Sequence, residues 1–245
     1  MTINSNLLVD DSVYRPLAGV TQRFDAIYNA RLARGKRHEL ATLVESLCLV
    51  YFRDMGEQSP AQFHAEYARV RALLPYASFL NPLTAEGCEF LSPQTVNLAY
   101  NEARVGLCLS AVEGQMRAST EYMLSGLPLV STKSVGGRDY FFDNEFCAVV
   151  PEDCRAVRDA VKAMIARDIP REHVRARTMA KIERERGRFI AFVQEIVDRE
   201  GGHTDFSAEF AALMTGGRLK FWTSTRAFAA QVVEALAGGK ASEKS

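Results

Sequence analysis

The stretch VGLCLSAVEGQMRASTEYMLSGLPLVS, residues 105–131, indicates the fold of this chain. It begins with the apolar run Val105–Leu109, continues through a polar loop into the helical pattern Ala118–Ser125, and ends with the apolar run Leu127–Ser131. Short apolar runs on either side of a helix are typical of parallel strands that are buried on both faces. The stretch therefore predicts a strand–helix–strand unit in which Gly126 ends the helix.

The same alternation extends toward both ends of the chain. Strands are predicted at Phe24–Tyr28, Leu47–Phe52, Ala77–Leu80 and Phe146–Val150, and helices at Lys36–Ser46, Pro60–Leu74, Pro93–Asn101 and residues 154–167. Two of these helices begin with Ser-Pro, where the serine caps the helix and the proline suits its first turn. Six strands that alternate with helices predict a doubly wound α/β domain with a mainly parallel sheet.

The pattern divides the chain into four segments. We expect an irregular N-terminal segment at residues 1–21, the α/β domain at 22–167, a helical extension at 168–237 and a disordered tail at 238–245. The extension is expected to begin with a long amphipathic helix at about 171–200, because apolar residues recur there at helical spacing within an Arg- and Glu-rich segment.

Composition excludes several classes of function. Thirty basic residues balance thirty acidic ones, so we expect no nucleic-acid partner. The five cysteines form no CxxC pair and the four histidines are scattered, so no metal site is predicted. No apolar run approaches the roughly 18 residues of a membrane span, and the N-terminus shows no signal pattern. A cytoplasmic protein is expected, with recruitment to a membrane surface left open.

Open α/β sheets bind ligands in the loops at the carboxyl ends of their strands, near helix N-termini that favour anions. The chain contains neither GxGxxG nor GxxxxGK[ST], which argues against dinucleotide oxidoreductases and P-loop proteins. After the first predicted strand, Arg31 and Lys36 bracket a loop and are suited to clamp a diphosphate. Taken alone, these two residues favour an ordinary basic surface loop over a diphosphate clamp.

The loop after the fourth predicted strand contains Glu113 and Gly114, and Glu121 follows on the second turn of the next helix. A carboxylate in that apolar helix costs free energy unless hydroxyls or cations pair with it, and vicinal sugar hydroxyls would do so. Gly114 lets a ligand approach the backbone closely. Gly136 and Gly137 form a second glycine-rich turn at the same edge. Taken singly, these features favour two surface glutamates and a plain turn.

In combination, these elements resemble the donor-binding domain of GT-B glycosyltransferases of the family 4 type. Glu113 and Glu121 reproduce the E-x7-E motif, residues 121–132 with Gly136-Gly137 resemble EAMACGxPVVAT…GG, and Arg31 and Lys36 match the R-x4-K spacing of the family. The three elements occur in the order of the family, and the resemblance covers about residues 22–167.

The resemblance implies one Rossmann-like half of a GT-B fold that transfers a sugar from a nucleoside-diphosphate donor with retention, without a cofactor or an obligatory metal. Arg31 and Lys36 would hold the diphosphate in place of a metal and, with Glu113 near the anomeric centre, are the implied catalytic residues. Glu121 would bind the ribose. The other implied donor-binding residues are Gly114, Gln115 and Met116 for the phosphates or the sugar, Phe90 and Leu91 for the base, and Gly136 and Gly137.

Members of that family carry an acceptor-binding α/β domain before the first strand, whereas fewer than 25 residues precede Phe24 here. We therefore expect an enzyme whose unknown acceptor is bound by a part not present in this chain, such as a separate acceptor-binding chain. One alternative is a non-catalytic nucleotide- or sugar-binding or interaction module. Another is a sugar-nucleotide epimerase of the same architecture, which the E-x7-E pattern disfavours.

Overall fold

The structure is a computed structural model that describes residues 3–215. Its strands are β1 (Phe24–Asn29), β2 (Leu47–Val50), β3 (Ser78–Phe79), β4 (Leu83–Thr84), β5 (Gly87–Cys88), β6 (Ala103–Cys108), β7 (Leu129–Thr132) and β8 (Cys147–Val150). Its helices are α1 (Pro60–Leu73), α2 (Pro93–Asn101), α3 (Arg117–Leu124), α4 (Cys154–Ala166), α5 (Arg171–Arg199) and α6 (Phe206–Thr215). The later part of the expected helical extension, from residue 216, and the expected tail at 238–245 lie outside the described residues.

Six strands form one parallel sheet in the order β3-β2-β1-β6-β7-β8. The prediction of a doubly wound α/β domain is confirmed. The strand order reverses direction between β1 and β6, which are neighbours in the sheet although six strands and helices of the chain separate them. In sheets of this kind a crevice opens at that point, outside the carboxyl ends of the strands.

The centre of the sheet is packed closely enough to require a glycine. A Cβ on Gly106 of β6 would lie 2.5 Å from Cδ2 of Tyr122 and 2.8 Å from Cδ2 of Leu129. The ring of Tyr122 therefore lies directly on the strand, and its hydroxyl accepts the backbone N–H of Asn29 at 2.5 Å. This contact fixes α3 against β1 and β6, so that the residue before Tyr122 lies at the crevice.

The helix predicted at Lys36–Ser46 is wrong. The structure has two 3-10 turns instead, Arg34–Lys36 and His38–Ala41, separated by Arg37 in the left-handed conformation (φ 51°, ψ 47°). A left-handed residue cannot continue an α-helix, because its carbonyl no longer lies along the helix axis. Tertiary packing overrides the local preference here, since His38, Leu40 and Ala41 are all buried.

The remaining long helices agree with the sequence. Ser59 and Ser92 cap α1 and α2 through their side chains, and both helices have proline in the first turn. The short antiparallel pair of β4 and β5 was not predicted, because two-residue strands leave no periodic signal. Residues 3–21 contain one 3-10 turn, Ser5–Leu8, and no other regular element.

The chain divides into two compact units at Val193. The first contains the sheet and the first part of α5, whose residues Val174, Thr178 and Ile182 are buried. In the described part of the second, residues 194–215, the Gln194 side chain accepts the N–H of Phe206 at 2.8 Å. No helix within residues 3–215 is both long and apolar enough to span a membrane.

Candidate functional site

A cavity of about 430 Å³ opens at the crevice between the carboxyl ends of β1 and β6. The loops after β1, β2 and β6 and the start of α3 form its walls. All predicted site residues line it except the three glycines: they are Arg31, Lys36, Phe90, Leu91, Glu113, Gln115, Met116 and Glu121. Residues distant in the sequence thus meet at the sheet edge where a ligand was expected.

The two cations of the β1 loop are each paired with carboxylates. Lys36 Nζ donates to the carboxylate of Glu113, and both side chains are largely buried. Arg31 donates from one terminal nitrogen to Asp54 and also to Glu57, the latter at 2.8 Å. The site therefore holds two cations at the strand ends, each of which already has an acidic partner.

The glycines act through the backbone around Glu113. Gly136 has φ 124°, and a Cβ there would lie 2.0 Å from the carbonyl oxygen of Glu113. The backbone N–H of Glu113 donates to the carbonyl of Val135 at 3.0 Å. Val135 in turn donates to the carbonyl of Ala111 at 3.0 Å, so backbone hydrogen bonds join the loops after β6 and β7, and Gly136 allows their close approach at Glu113. Gly114 and Gly137 lie in the same two loops, and a Cβ on either would meet no atom closer than 3.9 Å.

Glu121 is a buried carboxylate held by tyrosines. The hydroxyl of Tyr100 donates to Glu121 Oε2 at 2.8 Å, and the hydroxyl of Tyr14 also bonds to this carboxylate. Burial raises the pKa of Glu121 above its ordinary value of 4.5, although the two hydroxyls and the charge of Arg117 oppose that shift. A buried carboxylate on the cavity wall is suited to accept hydrogen bonds from a ligand's hydroxyls.

Gln115 and Met116 are engaged by the N-terminal segment. Gln115 Oε1 accepts the backbone N–H of Ser5 at 2.6 Å, while Gln115 Nε2 donates to the carbonyl of Ile3 at 3.2 Å. The side-chain amide of Asn6 donates to the carbonyl of Met116 at 3.0 Å. Residues 3–8 therefore lie along the loop before α3, and the Gln115 side chain already has partners.

One end of the cavity is aromatic and apolar. The rings of Phe52 and Phe90 lie 6.4 Å apart at an interplanar angle of 30°, and Phe90 is 69% exposed. Asn81 fixes this wall, because its side chain accepts the N–H of Tyr51 at 2.9 Å and donates to the carbonyl of Glu89 at 2.8 Å. A flat, exposed ring next to Leu91 offers a stacking surface for a planar ligand.

Several residues of the site were not predicted. Tyr14 reaches the cavity from the segment before β1, and no sequence spacing links it to Glu121. Phe52, Asp54 and Glu57 follow β2, at the same edge as the loop that contains Arg31. Their position after a buried strand was a usable signal, because the carboxyl ends of neighbouring parallel strands meet at one edge.

Comparison with known proteins shows what the fold resembles. The chain matches the C-terminal domain of the glycosyl transferase group 1 family protein LpcC of Francisella tularensis, at 15% identity and TM-score 0.52 over 71% of this chain and 96% of that one. It matches sucrose-phosphate synthase of Thermosynechococcus elongatus at 19% identity and TM-score 0.56, over 78% of this chain and 50% of that one.

A third match is the Anabaena protein HepE in complex with UDP-glucose, at 16% identity and TM-score 0.55, over 76% of this chain and 55% of that one. This chain spans about half the length of the latter two proteins. No family model matches the chain, and none of the curated protein sequences matches it. The α/β domain thus has the fold of the C-terminal domain of GT-B glycosyltransferases.

Proposed function

We propose that this chain is the donor-binding half of a glycosyltransferase and that its cavity binds a nucleoside-diphosphate sugar. The observation that supports this most strongly is the composition of the cavity at the strand-order reversal. The cations Arg31, Lys36 and Arg117, a buried carboxylate and an exposed aromatic wall line one space of about 430 Å³. A nucleotide needs these three environments for its phosphates, its ribose and its base.

The order of these groups along the cavity suits a nucleotide sugar. The wall around Phe90 and Leu91 takes the base, and Glu121 accepts hydrogen bonds from the ribose hydroxyls. Arg31 and Lys36 neutralise the diphosphate, so that no metal is required for it to leave. Glu113, paired with Lys36, contacts hydroxyls of the donor sugar near the anomeric carbon, and transfer proceeds with retention.

An acceptor must reach the anomeric carbon from the open side of the crevice. Since the chain spans about half of the whole proteins that it matches, we propose that the acceptor is bound by another domain or a separate chain. Such a partner would also exclude water and orient the attacking hydroxyl, which contributes much of the rate enhancement in two-substrate reactions.

A non-catalytic nucleotide-binding module is the second candidate. The engagement of Gln115 by residues 3–5 favours it, because it occupies a side chain that is proposed to meet the phosphates or the donor sugar. The dissociation constants of a nucleotide sugar and of its nucleoside diphosphate separate the two candidates. Tighter binding of the nucleotide sugar supports the transferase, and equal or weaker binding supports the module.

Calorimetric titration of UDP, GDP and ADP, each with and without Mg²⁺, tests the proposal. We expect saturable binding of one nucleotide that does not depend on Mg²⁺ and is strongly weakened in Arg31→Ala and Glu121→Ala. Arg34→Ala is the matched control, because Arg34 lies in the same loop with an 85% exposed side chain and does not line the cavity. Absence of binding by all three nucleotides, or equal loss in Arg34→Ala, would contradict the proposal.

A further inference from the structure

Arg31 lies between the proposed donor cavity and a second cavity of about 460 Å³. The loop after β2 and the first turns of α1 line this second cavity, together with Arg31 and Arg34. The carboxylates of Asp54 and Glu57 face Arg31 from that side and bind its guanidinium. Arg31 is thus a residue of the proposed phosphate site whose partners belong to the neighbouring loop.

Asp54 is built into its loop, whereas Glu57 is not. Asp54 Oδ1 accepts the backbone N–H groups of Gly56 at 3.1 Å and Glu57 at 3.2 Å, and its other oxygen bonds Arg31. Burial would raise the pKa of Asp54, but these amides and the charge of Arg31 outweigh it and hold the pKa below the ordinary value. The side chain of Glu57 is 72% exposed and bonds Arg31 through its carboxylate.

The acidic partners of Arg31 and Lys36 oppose the binding of an anion by these two cations. Arg31 and Lys36 are bonded to three carboxylates, those of Asp54, Glu57 and Glu113. These five side chains together carry one net negative charge, and Arg117, a further cation that lines the cavity, is not among them. A diphosphate must compete with carboxylates for the same guanidinium and the same ammonium group.

We infer that Asp54 and Glu57 are positioning residues that hold Arg31 and set the affinity of the site for a diphosphate. The inference rests on the proposed function. When the donor binds, Arg31 exchanges its bond with Asp54 for a bond with a phosphate. When the diphosphate leaves, the ion pair between Arg31 and Asp54 forms again. The carboxylates thereby weaken the binding of donor and released nucleotide alike.

Two substitutions isolate the charge from the loop geometry. Asp54→Asn keeps an oxygen that can accept the amides of Gly56 and Glu57 and removes the negative charge. Glu57→Gln does the same for the exposed partner. Glu66→Gln is the control, because Glu66 lines the same second cavity and pairs with Arg34 and Arg69 and not with Arg31.

The experiment measures the dissociation constants of UDP, GDP, ADP and inorganic pyrophosphate by calorimetry for the whole chain and each variant. We expect Asp54→Asn to tighten binding about two- to fivefold, the factor that corresponds to one partly exposed ion pair, and Glu57→Gln to tighten it less. The gain should vanish in the Arg31→Ala background and be absent in Glu66→Gln. A merely structural role of Asp54 would weaken binding.

The outcomes separate this inference from the proposed function. If the wild type binds and Asp54→Asn binds equally or more weakly, or if the gain persists in Arg31→Ala, the inference is wrong and the donor site stands. If only the Asp54→Asn, Glu57→Gln double variant binds, the inference is supported, since the carboxylates then block the site. If neither protein binds any of the four probes, both proposals are wrong.

Discussion

Two groups of cationic side chains in this protein meet different kinds of partners. At the crevice, Arg31 and Lys36 pair with carboxylates. Elsewhere in the same unit, Arg138, Arg171 and Arg175 donate to backbone carbonyls. The first group lines the proposed donor cavity, and the second connects loops and helix ends through their backbone carbonyls.

The difference in partners corresponds to a difference in role. Arg171 donates to the carbonyls of Ser125 at 3.1 Å and Asn101 at 3.3 Å, so it satisfies groups at the ends of α3 and α2. Burial lowers its pKa to about 10, which still leaves it charged at neutral pH. Backbone carbonyls cannot leave, whereas a carboxylate can exchange with a phosphate. The carbonyl-bound group therefore stabilises the fold, and the carboxylate-bound group remains available to a ligand.

Removing the crevice cations has the largest expected effect on binding. Arg31→Ala and Lys36→Ala should each weaken the binding of a nucleoside diphosphate by about ten- to hundredfold, since a hydrogen bond to a charged group contributes roughly 1.5–3 kcal/mol. Urea unfolding should show little change in stability. Arg171→Ala, measured on folded protein, should bind as the wild type does. Equal weakening of nucleotide binding in Arg31→Ala, Lys36→Ala and Arg171→Ala would contradict the distinction between the two groups of cations.

Arg171→Ala tests the other side of the comparison. It leaves carbonyls of α2 and α3 without a donor, and we expect the free energy of unfolding to fall by about 2 kcal/mol. Arg199→Ala is the control from the same helix, because Arg199 is exposed and, within residues 3–215, forms its ion pair with Glu195 alone. Its effect should stay within about 0.5 kcal/mol in urea titrations. An equal loss of unfolding free energy in Arg171→Ala and Arg199→Ala would contradict a stabilising role for the hydrogen bonds from Arg171 to the carbonyls.

Substitutions in the turn at Gly136 and Gly137 extend the comparison. This turn contacts the backbone of Glu113, so a change there can affect both the stability of the fold and the candidate site. Gly136→Ala places a Cβ against the carbonyl of Glu113 at a φ that other residues rarely adopt, and should cost about 2 kcal/mol of stability. It should also weaken nucleotide-sugar binding, because Glu113 moves. At Gly137 a Cβ would lie 3.9 Å from the nearest atom, an ordinary contact. Gly137→Ala should therefore keep both stability and affinity, and similar losses in the two variants would refute this account.

Glu121→Gln should have a small effect on stability, opposite in sign to that of Arg171→Ala and Gly136→Ala. Burial raises the pKa of Glu121, so its ionised form costs folding free energy at neutral pH, and that cost disappears as the pH falls through the raised pKa. The variant should gain about 1 kcal/mol at pH 7 and nothing below about pH 4. Its affinity for the nucleotide should fall. Chemical unfolding at the two pH values checks this, and destabilisation at pH 7 would contradict it.

Much of the fold followed from the sequence, because buried parallel strands are continuous apolar runs and Ser-Pro marks helix starts. The segment 36–46 did not follow, since the left-handed Arg37 and the burial of its neighbours are set by tertiary packing. The sequence predicted those residues of the candidate site that lie in the loops directly after strands. The carboxylates that bind Arg31 and the hydroxyl of Tyr14 were not predicted, because their contacts join residues that share no sequence spacing.

The most direct test of the account is a crystal structure of the chain with the nucleoside diphosphate that binds most tightly. We expect the phosphates within hydrogen-bond distance of Arg31 and Lys36, the ribose hydroxyls on Glu121 and the base against Phe90. A nucleotide bound elsewhere on the chain, or an empty cavity at saturating nucleotide, would contradict the central claim that this crevice is a donor site.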